Sequence, residues 1–185
     1  MIAERFKALA DDEMTPEQQQ VAGILRNGPR RSVPGPFQAL LRSPVLADRV
    51  RQVGDYIRFE SSFPAALREL AILVVARFWS SHYEWHQHRR MGIKAGLDPA
   101  IPDAIAEGRR PARLSDDEAL VHDFCHELLV GKDVGDHTYD AAVARFGERG
   151  VLDLICTVGY FSFVSAILNA KRHPPPDGCT PLHPL

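Results

Sequence analysis

Between Pro64 and Trp79 the chain places Leu67, Leu70, Ala71, Ile72, Leu73, Val74, Val75 and Ala76, leaving almost no polar face. A helix apolar on every side has to be surrounded, so it belongs in the middle of a domain or at a subunit interface. The rest of the chain must supply that cover. Two polar residues, Arg68 and Glu69, stand near the start of the segment. A carboxylate on the edge of such a helix is costly to bury unless something pairs with it.

Helical periodicity dominates elsewhere and strand-like alternation is scarce, which predicts an all-α, multi-helix bundle. Thr15-Pro16-Glu17-Gln18 combines an N-cap, a first-turn proline and a capping-box Gln, so a helix should run to about Asn27 and stop at Gly28-Pro29. Residues 28–36 hold three prolines, two glycines and two adjacent arginines, and read as an extended surface loop with the composition of a mobile crossing segment. Phe37 to Arg42 suggests a short helix. Ser43-Pro44 opens another, with Val45, Leu46, Val50, Val53 and Ile57 at helical spacing. After the break at 62–64 comes the apolar helix, 64–79. Ser80-Ser81 interrupts it, and a further helix extends to Ala95 with Gly96 as C-cap. Asp98-Pro99 starts a short helix through Glu107, and 108–114 is a loop. Ser115 to Glu118 is a capping box for a helix to about Val130, and 131–135 is a turn. Asp136 to Phe146 and Glu148 to Lys171 are the last two helices. Pro174 to Gly178 ends the fold, and 172–185 reads as a Pro-rich, flexible or surface-lying tail.

A length of 185 residues favours one domain over 1–185, and 45% hydrophobic residues suffice for a sizeable core. The formal charge of −2 and a pI near 6.4 give no electrostatic footprint for nucleic acid or acidic membranes, so neither is an expected partner. The longest apolar run, Leu70 to Ala76, meets Arg77 at once, and no run looks long and clean enough to span a bilayer. Met1 to Asp12 lacks a signal peptide's apolar middle, which makes a cytoplasmic location the expectation. Three widely spaced cysteines with no C-x-x-C argue against a disulfide framework. Cys125 and Cys156 lie in apolar helical patterns and are expected to be buried small hydrophobes.

The densest polar chemistry lies in Ser81-His82-Tyr83-Glu84-Trp85-His86-Gln87-His88. Glu84 and His88 share one helical face. Glu69, on the preceding helix across a short break, is within reach of that face. A His between two carboxylates is a proton-transfer unit. A competing reading is that Ser81-x-x-Glu84 is only a capping box, with Trp85 and Tyr83 as core or interface aromatics. His82 with His86, and His122 with His126 near Cys125, each place two candidate ligands on one helical face. H-E-x-x-H is absent, both pairs read as structural histidines, and no metal or cofactor is expected. Arg30-Arg31 and Arg109-Arg110 read as solvated loop charges; a pair facing a pocket would instead bind a substrate carboxylate. There is no Gly-rich phosphate loop, Gly-x-Ser-x-Gly elbow or dinucleotide fingerprint.

Arg68-Glu69-Leu70, then Ser81, Tyr83-Glu84-Trp85 and His88, then Gly92 and Ala95-Gly96-Leu97, together resemble the carboxymuconolactone decarboxylase superfamily, which includes the alkylhydroperoxidase D-like proteins. The resemblance is firmest over 64–97. A weaker echo runs through Val158-Gly159-Tyr160 to Leu168-Asn169 and into the closing Pro-rich segment. In the peroxidase branch the pattern is a Glu, then C-x-x-C, then a His four residues after the second Cys. Glu69 and His88 match the outer members, while the cysteine positions hold Ser81 and Glu84, which cannot form a disulfide. The resemblance implies a helical bundle that assembles into a homo-oligomer (dimer, trimer or hexamer). It implies a site at the junction of two helices and cofactor-free acid/base chemistry on a small organic acid or lactone. In that scheme His88 delivers the proton, Glu84 orients it and Glu69 is a second acid/base. Ser81, His82, Tyr83 and Trp85 then contact the substrate, with His86 as a further pocket group. Two alternatives stay open: thiol peroxidase or peroxiredoxin activity, which would need Cys125 to meet Cys156, and a non-catalytic ligand-binding module. A closed, dry pocket around Glu84 and His88 would favour an enzyme, and an exposed, capping Glu84 the module.

Overall fold

The computed structural model describes residues 3–175, 178–179 and 182–183. Among these residues the regular elements are all helical: α1 (Pro16–Asn27), α2 (Gly35–Leu40), α3 (Pro44–Asp55), α4 (Ala65–Phe78), α5 (His82–Ala95), α6 (Ala100–Ala106), α7 (Asp116–His126) and α8 (Asp136–Lys171). The caps form where the local sequence asks for them. In both capping boxes the hydroxyl accepts from the third helical N–H while that residue's side chain accepts from the N-cap N–H: Thr15 with Gln18 and Ser115 with Glu118. Gly96 ends α5 at φ +110°, a conformation that a side chain would strain.

The apolar helix α4 is the axis of the bundle. It packs on α5, α6, α7 and α8, and Leu70 through Leu73 are fully enclosed. At about 25 cal/mol per Å² of apolar surface removed from water, this continuous burial is the main force aligning the surrounding helices. A second cluster, including Leu25, Phe37, Leu41 and Ala47, joins α1, α2 and α3, and Ile167 of α8 packs against it.

The last two helices divide where the sequence expects them to: within α8, Gly147 takes φ +69° and ψ 167°, non-helical values that break the path between residues 136–146 and 148–171. Two features differ from the sequence expectations. Helix α8 is long and apolar enough to pass as a membrane span, with a mean hydropathy of 2.0 over its most apolar window, whereas no such run was expected. Of that window, 56% is buried in the fold, and Asp153 on the same helix accepts hydrogen bonds from Tyr56 and Ser61. The described tail residues also return to the bundle. Leu182 N–H donates to His82 Nδ1 at 3.1 Å, and Arg77 Nη2 donates to the His183 carbonyl at 2.8 Å. Of the segments read as an N-terminal stretch and a Pro-rich tail, Met1, Ile2, Pro176, Asp177, Thr180, Pro181, Pro184 and Leu185 lie outside the described residues.

Helices α3 and α7 each run on into a π-helical turn, Tyr56–Glu60 and Glu127–Gly131. In the first, Ser61 N–H reaches back five residues to the Tyr56 carbonyl at 2.8 Å. One extra residue per turn rotates the side chains that follow. Arg58, inside the first of these turns, lines the cavity that Glu84 and His88 also border.

Candidate active site

Helices α4 and α5 meet across the tight connection at Trp79–Ser81, where Ser80 takes φ +47° and Ser81 N–H bonds to the Ala76 carbonyl. The reversal brings the start of α4 beside the second turn of α5. Gly92 keeps the two helices close: a Cβ there would stand 2.8 Å from Leu97 Cδ1 and 3.4 Å from Glu69 Cβ. Glu69 and His88 therefore meet inside the fold.

His88 Nδ1 lies 2.6 Å from Glu69 Oε2, and His88 Nε2 lies 3.2 Å from Glu84 Oε2. All three side chains are buried, and Phe161 sets its ring edgewise against the imidazole, with centroids 4.9 Å apart. Burial alone would drive the proton off the ring. The hydrogen bonds and negative charges of Glu69, and then of Glu84, outweigh it and raise the His88 pKa to about 9. Near neutral pH the ring is an imidazolium, donating one N–H to each carboxylate.

The geometry overturns the capping-box reading of Ser81 and Glu84. Ser81 makes no side-chain cap bond, its Oγ is buried without a partner, and Glu84 turns inward to His88. A buried carboxylate gains more from a charged imidazolium than from a neutral backbone N–H.

Glu84 and His88 form part of the wall of a cavity of about 200 Å³, with Arg30, Arg58, Tyr83 and Tyr160 among the other lining side chains. Pro29, Ser32, Pro34 and Pro36 border it as well, so the loop read as a mobile crossing segment covers the site. Glu69 does not line the cavity. It stands behind His88 and holds Nδ1, while Glu84 stands with Nε2 at the cavity wall. In position, then, it is Glu69 and not Glu84 that stands behind the ring.

The other expected contacts are dispersed. Ser81, His82 and Tyr83 border a neighbouring cleft with Asn169 and His173. Tyr83 also faces the main cavity, and its hydroxyl accepts from Gly35 N–H at 3.4 Å. His82 is tied to Leu182, and burial, with the nearby His86 and Arg77 charges, lowers its pKa. Trp85 packs into the apolar core and is absent from the cavity wall.

Arg30 is not the solvated charge expected of it. Its side chain is 6% exposed and its Nε donates to Asp55 at 2.9 Å, whereas Arg31 is exposed. Arg109 and Arg110 are exposed and pair with Glu107 and Asp123. Arg58 and Tyr160 escaped the sequence reading as cavity groups. Tyr160 lies within the weaker echo of the family pattern, but nothing in the local pattern around Arg58 announces a π turn.

Cys125 is fully buried, and burial pushes its thiol pKa far up. Cys156 is exposed rather than buried, because the face of α8 that carries it points away from the core, and both thiols are free. His122 bonds to Asp123 at 2.9 Å and stacks on His126. Among the described residues no group of three or more His, Cys, Asp or Glu side chains is placed to hold a metal ion.

No protein-family model matches the chain, and no curated protein matches it. Among solved structures it is similar to an uncharacterized peroxidase-related protein from Silicibacter sp. TM1040, with a TM-score of 0.77 at 17% identity, over 96% of each chain. At that identity the likeness is one of fold: an all-α, multi-helix bundle of the alkylhydroperoxidase D-like kind.

Proposed function

We propose that this chain is a carboxymuconolactone decarboxylase-like enzyme that performs cofactor-free acid/base chemistry, decarboxylation or proton transfer, on a small organic acid or lactone. The observation that carries the proposal is the link between His88 Nε2 and Glu84 Oε2 at the wall of a cavity, with Glu69 fixing the far side of the ring. A charged pair built only to stabilise the fold would be cheaper to replace with apolar side chains. A pair that opens onto a cavity has a proton to exchange.

In a decarboxylation, the bond between the substrate carbon and its carboxylate breaks and CO₂ leaves. The electron pair moves into a conjugated carbonyl of the substrate. The resulting enolate carbon takes the proton shared by His88 and Glu84, and water restores it. Glu69 keeps the Nδ1–H bond throughout, which fixes the tautomer and makes Glu69 a positioning residue. In an isomerisation the same pair first accepts a proton next to the carbonyl and then returns it. Thiol peroxidase chemistry finds no cysteine in this cavity wall.

The test is a panel of unsaturated lactone acids and 3-oxo acids incubated with the protein in D₂O. Turnover should appear as CO₂ release or as solvent deuterium fixed at carbon. Glu84→Gln and His88→Gln should lower it by roughly 10² to 10⁴-fold. Folded variants that keep full turnover would remove the proposal.

A further inference from the structure

We infer that Arg58 and Arg30 form a carboxylate-binding subsite in the cavity of the Glu84–His88 pair, holding a carboxylate that the substrate keeps through the reaction.

Arg30 carries the clearest sign. Its Nε is engaged by Asp55 and its guanidinium carbon lies 5.1 Å from the centroid of the Phe37 ring. Its Nη2 is buried and makes no well-formed hydrogen bond, with the Tyr160 hydroxyl beside it. A buried charged donor left without a good partner is costly, and a ligand that accepts from it recovers that cost. Arg58, half-buried on the same wall, forms no ion pair among the described residues, and its Nη2 meets the Met91 sulfur at 4.0 Å. Burial first, and then the positive charge of Arg30, work against its charged form, and the more distant charges of Glu69 and Glu84 only partly offset them. Tyr160 and Tyr83 line the cavity as well, and burial raises both pKa values, which keeps their hydroxyls available as neutral donors. Asp55 already pairs with Arg30, and Glu69 and Glu84 with His88, which leaves Arg58 as the cation on this wall that an incoming anion would pair with. The planar fork of a guanidinium matches the two oxygens of a carboxylate.

The chemistry decides which carboxylate sits there. A carboxylate held by arginines is stabilised as the charged ground state, which opposes its loss as neutral CO₂. The arginine-bound group is therefore the anchor, and the reacting carbon belongs beside Glu84 and His88. If the reaction is a decarboxylation, the substrate carries a second carboxylate. This assignment of the reacting end rests on the acid/base proposal above, whereas anion binding itself does not.

Calorimetric titration with succinate, glutarate and maleate, and with succinamide as the neutral control, tests the subsite. At least one diacid should bind, succinamide should not, and Arg58→Gln should weaken binding by about tenfold or more. Arg58→Lys, which keeps the charge without the fork, should fall between the two. Glu84→Gln should retain diacid binding. No diacid binding by the wild type, equal binding of succinamide, or unchanged affinity in a folded Arg58→Gln protein would each overturn the subsite. Diacid binding with no turnover of any panel compound would leave the subsite standing and count against the acid/base proposal. Turnover of a panel acid with a KM unchanged in Arg58→Gln would do the reverse.

Discussion

Glu69 Oε2 lies 2.6 Å from His88 Nδ1, across a helix–helix contact and nineteen positions apart in sequence, with both side chains 5% exposed. The carboxylate is out of reach of the cavity, and its partner is in the cavity wall. Glu69→Gln keeps the shape and removes the charge. It should destabilise the protein by about 3 kcal/mol, because a buried imidazolium loses one of its two counter-charges. Urea unfolding of the variant beside the wild type measures this, and a histidine titration by NMR should show the His88 pKa falling. An unchanged midpoint would mean that His88 is neutral in the fold.

Stability should depend on pH through His88, with a definite sign. Its folded pKa, about 9, stands above the ordinary histidine value of 6.5. The charged ring's contribution is therefore complete below about pH 6.5 and is lost as pH rises through about 9. The full effect is on the order of 3 kcal/mol. Melting temperatures recorded from pH 6 to pH 10 should fall in the wild type. The fall attributable to this group should vanish in His88→Gln.

Gly54 sits where any side chain would strike the cavity wall. A Cβ there would stand 2.1 Å from the Tyr160 hydroxyl and 2.7 Å from Arg30 Nη2. Gly54→Ala should cost about 1 to 3 kcal/mol through overpacking and weaken carboxylate binding by shifting Arg30. Adding Tyr160→Ala removes the ring whose hydroxyl and Cζ, the latter at 2.5 Å, meet that Cβ, so the double variant should be more stable than the sum of its parts. Strict additivity in denaturant unfolding would contradict this arrangement.

The cysteines should divide by location. Iodoacetamide should label exposed Cys156 in the native protein and leave buried Cys125 untouched until denaturant is added. Peptide mass mapping reads both. A protein with all three cysteines replaced should keep whatever turnover the acid/base panel reveals, and its loss would reopen thiol chemistry.

Much of the site was legible in the sequence because it is local. Glu84 and His88 are four residues apart on one helix, and Glu69 stands out as a carboxylate on an otherwise apolar one. The capping-box signature at Ser81 and Glu84 was equally legible and did not form. Sequence spacing cannot weigh a backbone cap against a charged ring that arrives from the next turn and is held by another helix. Arg58 illustrates the opposite failure: it lies inside a π turn, and an extra residue in one helical turn leaves no mark in the hydrophobic period. Cys156 was misplaced because an apolar pattern marks the character of α8 and not which of its faces is covered.

By itself, the sequence determined the helical class, most helix boundaries and the identity of the Glu69, Glu84 and His88 set. Those properties follow from caps, breakers and i,i+4 spacing, which act over a few residues. Only the tertiary structure decided which carboxylate faces the cavity, that the Pro-rich loop covers it, and that Arg30 is buried there with a donor that makes no well-formed hydrogen bond. These depend on how helices distant in sequence pack around α4. That packing sets burial and charge environment, and no short-range pattern encodes them.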